Sequence, residues 1–159
     1  MTLADQPAAR TMRIAFEPAQ ASDAQALAAL RVEAMRESLE RVGRFDVERA
    51  RQRLLTGFSP PHTRHILVDG RRVGFLVVRP EAGGLLLDHL YIRPEHQRDG
   101  VGAAVLVEVF AQADRERLAV RVGALKDSPA NRFYVRHGFV LAERTEWDNY
   151  YVRMPATRD

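Results

Sequence analysis

The chain contains no cysteine. That excludes a disulfide scaffold, a thiolate metal site and a cysteine nucleophile. Lysine is nearly missing too: Lys126 stands alone, so the other 23 of the 24 basic residues are arginine. No run approaches the roughly 18 apolar residues of a membrane helix. Near Met1 no charged segment leads into an apolar one, so no secretory signal is visible and a cytoplasmic location is the expectation. Repeats, linkers and low-complexity tracts are absent. What remains is 159 residues with 46% hydrophobic and 28% charged side chains, enough for one ordinary domain with its own core. Residues 1–11 read as a polar, alanine-rich tail and 12–159 as a single domain.

Net charge is only +3, so the basic balance permits anionic ligands without demanding nucleic acid. Arg44, Arg49, Arg51 and Arg53 are interleaved with Asp46 and Glu48. Neither a helix-turn-helix spacing nor an aromatic platform accompanies them, so neither nucleic acid nor a membrane is an expected partner.

The patterning predicts a first strand over Thr11 to Pro18, then a capping box at Ser22 to Gln25. That box opens a helix carrying Leu27, Leu30, Ala34 and Met35. Asp46 can cap a second helix, which Gly57, Pro60 and Pro61 stop. Asp69-Gly70 between apolar runs signals a hairpin, and Glu81 to Gly84 a further turn. Leu85 to Ile92 reads as an apolar strand interrupted by Asp88 and His89. Gly100 to about Arg117 reads as a helix apolar on most sides, which belongs inside the domain. Leu118 to Leu125 is a buried strand. Ser128-Pro129 starts a short helix that Gly138 and Phe139 end as a Schellman cap. Two strands close the chain. The order β-α-α-β-β-β-α-β-α-β-β predicts an α/β fold, a mixed, mostly antiparallel sheet with helices on both faces.

Chemistry concentrates in Ile92-Arg-Pro-Glu-His-Gln97-Arg98-Asp99-Gly100-Val101-Gly102. A strand runs into a turn, and two glycines open a helix whose first N–H groups lack partners: an anion site, with Arg98 beside it. A P-loop is excluded, because no Gly-Lys-Ser/Thr follows. A dinucleotide fingerprint is excluded because its third glycine is Val105.

Gln97-x-x-Gly100-x-Gly102 resembles motif A of the GCN5-related N-acetyltransferases, the GNAT superfamily. About thirty residues on, Ala130-Asn131-Arg132-Phe133-Tyr134-Val-Arg-His-Gly138-Phe139 resembles the family's motif B. The resemblance extends from about residue 12 to the C-terminus. It implies the GNAT fold and acetyl-CoA as co-substrate. Its pyrophosphate would sit on Gln97, Arg98, Asp99, Gly100, Val101, Gly102 and Ala103. Its pantetheine would run beside Leu90, Tyr91 and Ile92, where that strand and Leu118 to Leu125 splay apart. A backbone N–H near Leu90 would meet the developing oxyanion, and Phe133 would pack near the cofactor. Tyr134 would protonate the departing thiolate. Asp127 stands where many members carry a pantetheine-touching asparagine. Asn131 is a candidate to take over that contact, and Asp127 is expected to cap the short helix.

The amine must lose a proton, and two residues compete for that role. Strict alternation puts Asp88 on one face with Leu86, Leu90 and Ile92, and His89 on the other with Leu87 and Tyr91. His62, His65, His96 and His137 lack metal-ligand spacing and are expected at the surface, so no metal is expected. Glu33, Glu37 and Glu40 lie in a region that borders the acceptor site in the family, though a solvated helix face is the favoured reading of any one of them. The expected activity is acetyl transfer to a primary amine by direct attack, with a small-molecule acceptor favoured over a protein. The competing class is a non-catalytic acyl-CoA sensor. Homodimerisation is an expectation, with Trp147, Tyr150 and Tyr151 as a candidate surface or part of the core.

Overall fold

The computed structural model describes residues 12–157; the expected tail, 1–11, lies outside them. Seven strands form one sheet in the order β1-β2-β3-β4-β5-β7-β6. They are β1 (Ile14–Pro18), β2 (Thr63–Val68), β3 (Arg71–Glu81), β4 (Gly84–Ile92), β5 (Ala119–Leu125), β6 (Val140–Arg144) and β7 (Asp148–Arg153). Every neighbouring pair is antiparallel except β4 and β5, which a crossover helix joins. The helices are α1 (Ala24–Arg41), α2 (Val47–Leu55), α3 (Val101–Glu116) and α4 (Ala130–Arg136). This is the mixed sheet flanked by helices that the residue pattern predicts.

Alternation along β3 splits the core between the two faces. Phe75 and Val77 pack with Leu27, Leu30 and Leu54 of α1 and α2. Leu76 points the other way, into a larger cluster with Val101, Val105, Leu106 and Val109 of α3 and with Tyr134 and Phe139. Helix α3 therefore buries one stripe rather than its whole circumference. Val107 is 63% exposed, because it lies off the stripe of Val101, Val105, Leu106, Val109 and Ala113 that packs on the sheet.

Local signals hold where a side chain and an orphan backbone group meet. Asp46 Oδ1 accepts from the Arg49 amide at 2.8 Å and caps α2. Asp69 and Gly70 both have positive φ, 50° and 81°, as a tight hairpin turn requires. At the end of α4, Phe139 N–H donates to Tyr134 O and Gly138 N–H to Val135 O, the two bonds of a Schellman cap. The Phe139 ring returns to within 5.3 Å of Tyr134. Two expected caps are displaced. Ser22 lies inside a one-turn 3₁₀ segment, and the carboxylate that reaches back is Asp23, accepting from the Gln20 amide at 2.8 Å. Helix α4 has no side-chain cap. Asp127 instead sits in left-handed backbone at φ 65°, a region that favours asparagine and aspartate among side-chain-bearing residues.

Candidate active site

The defining feature is a gap in the middle of the sheet. β4 and β5 pair only from Gly84–Leu87 to Ala119–Val122. Beyond that, Leu90 to Ile92 pair with β3 alone and Gly123 to Leu125 with β7 alone. The parted strands leave backbone groups on their facing edges open to a ligand.

β4 then leads through a 3₁₀ turn, Pro94–His96, into the Gln97–Gly100 loop and α3. Ala104 N–H is the first to find a helical acceptor, Gly100 O at 3.1 Å, so the amides of Val101, Gly102 and Ala103 have none. No side chain caps this end. Gly100 holds φ 79°, and a Cβ there would project into space with only the Met12 methyl 4.0 Å away. The exposed loop with its free amides and positive helix end thus fits a phosphate group. Gln97 braces the loop from within, its Nε2 donating to Ile92 O at 3.1 Å. Gly102 has a different role: a Cβ there would lie 3.0 Å from Phe133 Cζ. Its bare backbone lets α3 and α4 close on each other, and Phe133 is a packing partner of this helix start.

Asp88 and His89 stand together, not on opposite faces. Leu87 pairs with Val78 and His89 with Val77, so Asp88 is an extra residue in β4, a bulge. The bulge resets the alternation. Leu85, Leu87, Leu90 and Ile92 belong to the α3 side, while Asp88, His89 and Tyr91 face α1 and α2. Arg53 of α2 reaches both polar groups, with Nη2 donating to Asp88 Oδ1 at 2.7 Å and Nη1 lying 3.1 Å from His89 Nε2. Arg79 Nε donates to the other Asp88 oxygen at 3.0 Å. The arginine hydrogen bonds outweigh the cost of burial and hold the Asp88 carboxyl below its ordinary range. Burial, reinforced by Arg53, pushes His89 down to about 3. The imidazole is therefore neutral, with its Nε2 lone pair facing Arg53 and its buried Nδ1 unpartnered. Both shifts make these groups weaker bases than their unperturbed forms.

Tyr134 is 6% exposed, its ring packed against Phe133, Phe139 and Tyr151. Burial pushes its phenol pKa well up, with Tyr91 adding to the shift, so the hydroxyl keeps its proton. Among the described residues no protein group hydrogen-bonds that hydroxyl. Asn131 is fully engaged: Nδ2 donates to Leu125 O and Ser128 O, each at 2.9 Å, and Oδ1 accepts from Tyr151 and Asn149. It ties β5, α4 and β7 together, which leaves nothing for the pantetheine contact expected of it.

A cavity of about 420 Å³ opens on the α1/α2 side of the gap. Its floor is Leu86, Asp88 and Tyr91 of β4 with Gly123 of β5. Residue reading missed most of its walls: Arg31, Met35 and Leu39 at successive turns of α1, Arg49 and Arg53 of α2, and Tyr150 and Trp147 near β7. The i, i+4 spacing on both helices was the available signal. Trp147 and Tyr150 thus line the cavity, while Tyr151 is core. Glu37 and Glu40 pair with Arg41 and Arg36 on the outer face of α1. His65, expected at the surface, is buried against Asp23 at 3.0 Å. No group of metal-ligating side chains occurs among the described residues, nor any helix long and apolar enough to cross a membrane.

A family model described as an acetyltransferase (GNAT) domain matches residues 61–141. A search of curated proteins finds no match. Among solved structures, the PaiA N-acetyltransferase of Thermoplasma acidophilum in complex with coenzyme A is similar at TM-score 0.65 and 18% identity. The match covers 90% of this chain and 99% of that one. An acetyltransferase of Thermus thermophilus matches at TM-score 0.68 and 23% identity, over 89% and 96% of the two chains. The ribosomal-protein-S18-alanine N-acetyltransferase of Escherichia coli matches at 0.66 and 12%, over 92% and 97%. These likenesses extend the shared fold across nearly the whole chain, and the family model spans just over half of it, so the chain belongs to the GCN5-related N-acetyltransferases and is an acyltransferase.

Proposed function

We propose that the protein transfers the acetyl group of acetyl-CoA to a primary amine by direct attack in a ternary complex. The observation that carries this reading is the gap between β4 and β5, which joins the uncapped start of α3 to the cavity under α1 and α2. The free amides of Val101 to Ala103 would hold the pyrophosphate, with Arg98 beside them. The open edge of Leu90 to Ile92 would pair with the pantetheine amides. Bound there, acetyl-CoA supplies an activated thioester carbonyl.

Tyr134 is the proton donor in this reading. As the amine nitrogen forms its bond to the carbonyl carbon and the carbon–sulfur bond breaks, the phenol delivers its proton to the sulfur, the acylated nitrogen sheds its extra proton to water, and the phenol is reprotonated from solvent. No cysteine exists to hold the acetyl group in between, which favours direct attack. Asp88 and His89 serve as positioning groups. With Arg53 and Arg79 they form a rigid polar floor, and the ammonium proton leaves to water in the cavity. This revises the expectation that one of the two is the base.

The test is thiol release from acetyl-CoA with a panel of amines, alongside thermal melts with CoA. Binding to the folded state alone adds about 2.7 kcal/mol of stability at a hundred times Kd and so raises the melting temperature. A melting curve unmoved by millimolar CoA would sink the proposal.

A further inference from the structure

The cavity holds more positive charge than its walls neutralise. Arg121 is matched by Glu81, at 2.6 and 3.2 Å. Arg53 and Arg79 share the single carboxylate of Asp88. Asp46, which caps α2, and Asp148 also line the cavity, so three carboxylates face five lining arginines. Arg44 lies over the Trp147 ring at 4.3 Å, and neither it nor Arg49 has an acidic partner among the described residues.

Arg31 carries the argument furthest. It lines the cavity, is only 9% exposed, and has no carboxylate within ion-pair reach among the described residues. Its Nε donates to the Tyr91 hydroxyl at 3.2 Å and its Nη1 to Ala50 O at 2.9 Å. Both partners are neutral, and three of its five N–H donors remain. A buried guanidinium without a counter-ion is costly, and proteins pair such charges. The planar fork of arginine matches the oxygens of a carboxylate or phosphate.

We infer that the acceptor is a small amine bearing its own carboxylate or phosphate, and that this anion docks on Arg31 with Arg44 and Arg49 around it. The inference rests on the acetyl-transfer reading and names the substrate class for that site. The cavity has the volume of a small-ligand pocket. The same arginines repel polyamines, so they select against amines that carry a second positive charge.

The experiment compares matched amines in the thiol-release assay with the full chain and saturating acetyl-CoA. Each aminoalkyl carboxylate is paired with its amide, and aminoalkyl phosphates and linear diamines run alongside. The anionic amines should exceed the amides and diamines in kcat/KM by about ten- to a hundredfold, and the margin should shrink with added salt. Whichever of carboxylate or phosphate gives the higher value identifies the anion. Arg31→Gln should collapse the ratio towards one. The double variant Arg44→Gln/Arg49→Gln, at more accessible positions, should lower it at least threefold even where the Arg31 variant fails to fold. Equal or better use of amides or diamines overturns the inference and leaves acetyl transfer standing. No thiol release with any amine, while CoA still shifts the melt, overturns both.

Discussion

Acid should destabilise this protein through His89, and the size of the effect follows from where the ring sits. It is 3% exposed, with the rings of Phe75 and Tyr91 at 6.3 and 5.6 Å and an Arg53 nitrogen 3.1 Å from Nε2. Burial first, then Arg53, lowers the pKa from 6.5 to about 3. In the unfolded chain the imidazole takes up a proton below about 6.5. The folded ring stays neutral down to about 3. Between these values the unfolded state binds more protons, so stability falls as pH falls, at up to about 1.4 kcal/mol per unit. From neutral pH to 4.5 the loss through this one residue is about 2.7 kcal/mol. For a domain of this length that corresponds to about 5–11 °C in Tm.

The control is His89→Gln, which does not titrate and keeps a hydrogen-bond acceptor for Arg53. Urea melts of both proteins between pH 7 and 4.5 cancel the titrations they share. The wild type should lose about 2–3 kcal/mol more than the variant over that range, beginning near pH 6.5. Parallel pH profiles would refute the reasoning. They would mean that Asp88, whose Oδ2 lies 3.7 Å from Nε2, captures the imidazolium and offsets the desolvation.

Tyr134→Phe should lower turnover by about ten- to a thousandfold with CoA affinity little changed, since thiolate is a tolerable leaving group and the cofactor's binding amides are untouched. Full turnover at saturating acceptor would remove Tyr134 from the acid role. The two glycines at the start of α3 should separate: Gly100→Val places a side chain in the open mouth and costs CoA binding, with about 1–2 kcal/mol of strain from its positive φ. Gly102→Val should instead cost about 1–3 kcal/mol of stability by pressing on Phe133, read by urea melts with and without CoA.

The order of elements was legible because each is set by local rules. Asp46 caps α2, Asp69-Gly70 turns the β2–β3 hairpin, and Gly138 with Phe139 closes α4. The uncapped α3 start was legible for the same reason, since two glycines and the absence of a capping hydroxyl are sequence facts. What failed depended on contacts far apart in the chain. His65 gives no local sign that Asp23, 42 residues earlier, will bury it. Asn131 reads as free until Tyr151 and Asn149 arrive from β7. The Asp88 bulge escaped a strict period of two, because one extra residue moves everything after it to the other face.

The same gap between chain and space hides the charge of the cavity from a reading along the chain. Along the sequence the arginines of α2 alternate with Asp46 and Glu48 and look neutralised. A helix sorts them by face. Glu48 turns outward to Arg51 and Gln52, and Asp46 bends back to the Arg49 amide. Arg49 and Arg53, four residues apart, share the inner face with nothing on α2 to balance them. Arg31 joins them from α1, held in place by Ala50 O of the same helix. From the sheet, Asp88 and Asp148 meet this cluster, and the bulge turns His89 to the same side as Asp88. The extra residue in β4 thus completes the polar floor of the cavity, while the surplus of positive charge above it comes from α1, α2 and the loop that joins them.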